Sequence, residues 1–152
     1  MGLLSSVVPA SVTGEDKVQE LTNMDLAMKL HYLRGLYFFK NDAVRGLDIS
    51  DLKKYMFQCL VFYYPTTGRI RRSENGRPFI KCNDTGVRIV EAQCSKTVDE
   101  WMDMKDDSLN DQLLYSHVLG PDLGFSPLVF IQVCNPFSVS LSCSPQIRLK
   151  VA

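Results

Sequence analysis

The chain is short of the residues on which most catalytic centres are built. It holds two histidines, His31 and His117, in 152 residues, which leaves little material for a histidine-rich metal site or an imidazole pair. Excess charge is missing as well: seventeen basic and seventeen acidic side chains cancel to zero, with a pI near 6.7. That balance gives no long-range field to draw the chain to nucleic acid or to an anionic membrane. Long apolar runs are absent, because Leu128–Val133 is broken at Gln132 and nothing approaches the ~18 residues a spanning helix needs. The five cysteines, Cys59, Cys82, Cys94, Cys134 and Cys143, include no Cys-x-x-Cys pair, so zinc-type spacing is excluded. An odd cysteine count without a recognisable signal peptide fits a reducing compartment. The expectation is a chain without a bound metal, soluble or peripheral to a membrane.

Against those absences, 45% apolar and 22% charged residues give the composition of an ordinary globular domain, so a packed core is expected. The most specific local pattern runs from Arg77 to Ala92. Phe79 and Ile80 favour a strand, Asn83 to Gly86 supply a polar turn, and Val87 and Ile89 alternate as a half-buried strand does. Just before it, Arg69–Arg72 and Arg77–Cys82 flank Asn75-Gly76, which predicts an antiparallel hairpin with positive backbone angles at its tip.

The strongest helix signal begins at Asp48, whose carboxylate can accept from the free amides of the first turn. Leu52, Tyr55, Met56, Cys59, Leu60, Phe62 and Tyr63 follow at three- and four-residue steps, predicting one broad apolar face, and Pro65 and Gly68 end the helix. Ser5 to Thr13 reads as an extended edge segment, because Pro9 interrupts its valines. Thr22 or Asn23 can cap a short helix from Met24, and Tyr32–Phe39 reads as a strand, with a helix as the alternative. Thr97–Met104 predicts a helix carrying Trp101, Asp107 or Ser108 caps another toward Ser116, and Gly120 to Pro127 forms a loop before a buried strand at Leu128–Val133.

Several clusters stand out as candidate sites. Arg69, Arg71, Arg72 and Arg77 form the one basic cluster, read as a solvated hairpin face beside Glu74 in preference to a phosphate site. Asp103, Asp106 and Asp107 read as a solvated acidic turn, and Ser126 lacks the glycine context of a hydrolase nucleophile. Met1-Gly2-Leu3-Leu4-Ser5-Ser6 fits the loose acylation template but also starts a strand, and Asn83-Asp84-Thr85 is a glycosylation sequon with meaning only in a secreted chain.

Taken together, Leu52-x-x-Tyr55-Met56-x-x-Cys59-Leu60, then Tyr63-Tyr64-Pro65-Thr66-Thr67-Gly68-Arg69, then the Arg77–Ala92 run resemble the N-terminal part of plant BAHD acyltransferases. Met24–Phe39 and His117–Leu123 resemble the eceriferum-type branch of that family most. The resemblance extends to about residue 133. It implies an α/β fold, a partial chloramphenicol-acetyltransferase-like N-terminal domain with a mixed sheet and flanking helices. Residues 1–133 make up that incomplete domain, and residues 134–152 are expected to be a divergent, disordered tail.

In this family the histidine of a His-x-x-x-Asp motif acts as general base on the acceptor that attacks an acyl-CoA, and an Asp-Phe-Gly-Trp-Gly motif lies near the C-terminus. Four residues after His31 stands Gly35, and four after His117 stands Pro121, with Asp122 one position late. No catalytic residue is therefore assigned, no metal ligand is expected, and cofactor-binding residues remain unassigned, acyl-CoA being the family's co-substrate. The expectation is a truncated chain, inactive in acyl transfer alone. Its role in very-long-chain fatty-acid elongation for cuticular wax is what the eceriferum resemblance implies. The implied partner is the elongase condensing enzyme, and the implied location is cytoplasmic, peripheral to the endoplasmic reticulum. The alternatives are a fragment of an ordinary O- or N-acyltransferase, or an unstable by-product. Truncation is also expected to strip facing neighbours from the helix 52–63 and the strand 128–133, forfeiting ~10 kcal/mol of apolar burial.

Overall fold

The computed structural model describes residues 3–28, 33–39, 41–94, 96–104, 124–136 and 146–151. Both histidines, Asp106, Asp107 and the helix expected toward Ser116 lie outside the described residues.

Strand β1 (Leu3–Val7) opens the chain, followed by β2 (Val18–Glu20), helix α1 (Asn23–Ala27) and β3 (Leu33–Phe38). Tyr32–Phe39 thus resolves to the strand reading over its described part. Helix α2 (Ile49–Cys59) leads through a 3-10 turn at Tyr64–Thr67 into β4 (Arg69–Arg72), β5 (Pro78–Lys81) and β6 (Val87–Cys94). Helix α3 (Val98–Asp103), β7 (Val129–Pro136) and β8 (Gln146–Val151) complete the described elements. They form one five-stranded sheet in the order β1-β6-β7-β8-β3 and a three-stranded sheet in the order β2-β5-β4. Only the β6–β7 pair is parallel, with Ile89 opposite Ile131, so the larger sheet is mixed as expected.

Alternation on the two central strands divides the core. Val87 and Ile89 of β6 and Val129 and Ile131 of β7 point to one face, where they pack with Val7, Leu60 and Leu128 and against Met56 and Ile49 of α2. Ala92 and Cys134 point to the other, under Trp101 of α3 with Leu36 and Phe38 of β3. The sheet is therefore covered by α2 on one side and by α3 on the other.

The helix starts follow the expected capping chemistry. Asp48 accepts from Ser50 N at 2.7 Å and Asp51 N at 2.9 Å, while Asp51 returns the contact to Asp48 N at 3.1 Å. Thr22 caps α1 in the same reciprocal way with Asp25. The hairpin β4–β5 forms, but through five residues, with Ser73 N donating to Arg77 O at 2.9 Å and Gly76 N to Ser73 O at 2.8 Å. Gly76 takes a positive φ of 80° and Asn75 does not, so the two-residue Asn-Gly turn is corrected to a wider loop.

Of the tail expected to be disordered after residue 133, residues 137–145 lie outside the described residues, while β7 runs on to Pro136 and β8 inserts between β7 and β3. Its alternating Ile147, Leu149 and Val151 are the strand signal that the serines before it obscured. The forecast of an uncovered 128–133 strand is corrected with it. Leu128, Val129, Phe130 and Ile131 are each at most 7% exposed, because β6 and β8 flank β7 on both sides. The helix forecast splits in two: Leu60 is buried and Met56 packs on the core, but Tyr55, Phe62 and Tyr63 are 60%, 82% and 66% exposed. The apolar stripe is wider than the sheet beneath it can cover.

Helix α3 supplies a pH-dependent element with a built-in reporter. Thr97 N donates to Glu100 Oε2 at 2.7 Å and Glu100 N to Thr97 Oγ1 at 3.3 Å, at the start of the helix that carries the chain's only tryptophan. The Thr97 backbone amide, and then its hydroxyl, hold the Glu100 carboxyl below its ordinary 4.5. A depressed folded pKa means that the contribution is fully present above the unfolded value and is lost as pH falls through the folded one. Acid titration followed by Trp101 emission should therefore show α3 loosening only below about pH 4.5. Glu100→Gln keeps an acceptor at the cap but removes the titration, so its acid limb should be flatter than that of the wild type. An identical acid limb would contradict this origin.

Candidate functional site

The most unusual chemistry in the described residues is at Arg69. The side chain is 1% exposed, the largest of the fully buried ones, although arginine seldom lies inside a protein. Its Nη1 donates to Gly68 O at 2.7 Å, Gly86 O at 3.2 Å and Thr67 O at 3.3 Å, while Nε finds no partner among the described residues. Burial, and after it Arg88 and Arg71, pull its pKa down to about 10. The guanidinium remains a cation at neutral pH, and it binds backbone carbonyls instead of a carboxylate.

Local sequence explains the placement. Pro65 starts the 3-10 turn, Thr67 Oγ1 donates to Tyr64 O at 2.7 Å, and Gly68 N donates to Pro65 O at 3.1 Å, so the chain turns sharply into β4. Gly68 is required because a Cβ there would lie 2.5 Å from Lys81 O. Gly86, at φ 94°, brings the β5–β6 turn against the same spot, with Gly86 N donating to Thr67 O at 3.0 Å. Arg69 thus binds two turns that are distant in sequence and sets where the small sheet meets the large one.

Two further contacts brace this junction. Asp84, with a positive φ of 51°, accepts from Thr13 N at 2.8 Å and Thr13 Oγ1 at 2.6 Å, tying the β5–β6 turn to the segment after β1. Lys53 of α2 reaches Glu91 of β6 at 3.0 Å, both side chains 29% exposed, and holds the helix over the sheet.

The basic cluster is not a single site. Arg69 is buried, Arg72 donates to Gly76 O within its own hairpin, and Arg77 donates to Leu21 O at 2.8 Å. Arg71, Arg72 and Arg77 are exposed and fit the solvated reading, and the burial of Arg69 was missed because nothing in Arg-Ile-Arg-Arg separates a buried arginine from an exposed one. The preceding Pro-Thr-Thr-Gly, which forces a sharp turn into the sheet, was the available signal. Cys82 and Cys134 are buried, and burial pushes the Cys82 thiol up, away from nucleophilic use. Ser126 is buried at the approach to β7. Asp103 is exposed at the end of α3, and among the described residues no three metal-ligating side chains converge. No helix among them is long and apolar enough to cross a membrane.

The mixed sheet with its covering helices is part of a BAHD-type acyltransferase fold. Residues 4–146 match the model of the Transferase family, and the chain belongs to it. The crystal structure of vinorine synthase superposes with a TM-score of 0.76 over 99% of this chain and 37% of that one, at 20% identity, which establishes a partial chloramphenicol-acetyltransferase-like α/β fold. The eceriferum-like character is equally plain. The chain is 48% identical to Protein ECERIFERUM 2 of Arabidopsis thaliana, over 91% of this chain and 36% of that protein. It is 43% identical to ECERIFERUM 26 of the same plant, over 91% and 33%. To a hydroxycinnamoyltransferase of Narcissus pseudonarcissus it is 32% identical, over 75% and 27%. The chain spans about a third of the length of these relatives. The family match reaches residue 146, beyond the limit near 133 expected from motifs alone.

Proposed function

We propose that this chain acts in very-long-chain fatty-acid elongation for cuticular wax, by assisting a condensing enzyme instead of transferring acyl groups itself. The observation that carries the reading is the step in identity, from 48% and 43% for two ECERIFERUM proteins to 32% for a hydroxycinnamoyltransferase. The arrangement around Arg69 agrees with it: the guanidinium is committed to backbone carbonyls and serves architecture, not proton transfer. On this reading acyl-CoA is the co-substrate of acyltransferases in the family, and this chain works beside the elongase in the cytoplasm, at the face of the endoplasmic reticulum.

The test is co-expression of the 152-residue chain with a plant condensing enzyme in a host that lacks long products, with fatty-acid chain lengths read by gas chromatography. Longer products with the chain present, and no acyl-CoA consumed by the purified chain with alcohols or amines, are expected. Steady acyl-CoA turnover with unchanged product lengths would overturn the reading in favour of an ordinary acyltransferase lineage.

A further inference from the structure

The loop that joins β4 to β5 carries a reactive dipeptide. The chain has six asparagines, Asn23, Asn41, Asn75, Asn83, Asn110 and Asn135, and only Asn75 is followed by glycine. Every residue from Ser73 to Arg77 is exposed, so water reaches this loop. Asparagine is thermally labile, most of all before glycine, whose nitrogen has no neighbouring Cβ to keep it off the carboxamide carbon. In the reaction Gly76 N gives up its proton and bonds to Asn75 Cγ, the Cγ–Nδ2 bond breaks, and Nδ2 leaves with that proton as ammonia. Water then opens the cyclic imide at either carbonyl, giving aspartate or isoaspartate at position 75.

The native loop holds both reacting groups out of use. Gly76 N donates to Ser73 O at 2.8 Å, so the nucleophile keeps its proton and is turned back toward β4. Asn75 Oδ1 accepts from Arg77 N at 3.1 Å and from Ser73 Oγ, which ties the carboxamide to the base of the loop. Ser73 N donates to Arg77 O at 2.9 Å, and Arg77 Nη2 donates to Leu21 O at 2.8 Å, so the ends of the loop are fixed as well. We propose that Asn75 is a deamidation site gated by this loop, closed while the hairpin is formed and reactive each time its tip opens. The two products differ in consequence. Aspartate keeps an oxygen for the same two donors, whereas isoaspartate inserts a methylene into the main chain and breaks the register that sets Arg77 on Leu21 O. The inference does not rest on the function proposed above, since it concerns the chain's own covalent chemistry.

The experiment incubates the intact chain at mildly alkaline pH, folded in buffer and unfolded in guanidinium chloride, and follows position 75 by peptide mapping that separates asparagine, aspartate and isoaspartate. In denaturant Asn75 should convert ahead of the other five asparagines, and in the folded chain its conversion should be at least about tenfold slower. Ser73→Ala removes the hydroxyl from Asn75 Oδ1, so it should raise the folded rate about threefold and leave the rate in denaturant unchanged. Asn75→Asp should melt as the wild type does, while chain aged in denaturant and then refolded should melt lower in proportion to its isoaspartate content. Equal rates in buffer and denaturant would overturn the proposal, as would a Ser73→Ala chain that deamidates no faster when folded. An isoaspartate-rich chain that melts like the wild type would overturn the consequence drawn for Arg77.

Discussion

Replacing Arg69 with alanine should lower the stability of the chain by about 4 kcal/mol, one of the two largest effects expected of any single substitution here. The buried carbonyls of Gly68 and Gly86 lose the guanidinium donor, Thr67 O keeps only that of Gly86 N, and a long aliphatic stem leaves a void between two turns. The native charge is itself costly to bury, as its pKa of about 10 indicates, because burial and the neighbouring Arg88 and Arg71 all oppose it. Hydrogen bonds to three carbonyls must more than offset that cost. Two variants separate the contributions. Arg69→Met keeps much of the volume and removes the buried cation, so it should lose roughly half as much as alanine, about 2 kcal/mol. Arg69→Lys keeps a charge without the forked donor and should fall closer to alanine. Urea unfolding followed by Trp101 emission measures all three. An alanine variant within ~1 kcal/mol of the wild type would mean that the carbonyls find other donors at no cost.

The second large effect concerns β8. Among the described residues β3 has no neighbour in the larger sheet other than β8, and β8 pairs Leu149 with Ile131 on one side and with Gly35 on the other. A proline at Leu149 removes a ladder donor in a strand that is paired on both edges, where proline is not accommodated. Leu149→Pro should therefore release β3 and expose one edge of β7, while β1, β6 and the β6–β7 pairing persist. Hydrogen exchange should show amides of Leu33–Phe38 losing at least about tenfold in protection and those of Val87–Val90 retaining most of theirs. Equal loss in β3 and β6 would mean that the sheet opens as one unit, and no loss in β3 would mean that β8 does not hold it.

How much of this was legible beforehand depended on whether the signal was local. Asp48, Thr22 and Thr97 marked helix starts because a cap acts on amides two or three residues away. Val87 and Ile89 marked a strand for the same reason: period-two alternation is written into one short segment. Family motifs reached further and gave the α/β architecture that the superposition with vinorine synthase bears out. What was missed depends on distant partners. Arg69 is buried because Gly86, seventeen positions away, brings a carbonyl to it. The outer half of the α2 stripe is exposed because the sheet is narrower than the helix face, which no helical period reveals. β8 was hidden by serine-rich sequence before it and by the lack of a family pattern. The alternation of Ile147, Leu149 and Val151 was the available signal.

The central claim is that the described residues form one cooperative unit, in which the Arg69 junction and β8 unite two sheets and their covering helices. A thermal melt of the purified chain followed at once by far-ultraviolet circular dichroism and by Trp101 fluorescence tests it most directly. The account predicts two curves that superimpose in a single sharp transition. A gradual decline without a midpoint, or tryptophan released well before the sheet signal is lost, would contradict it.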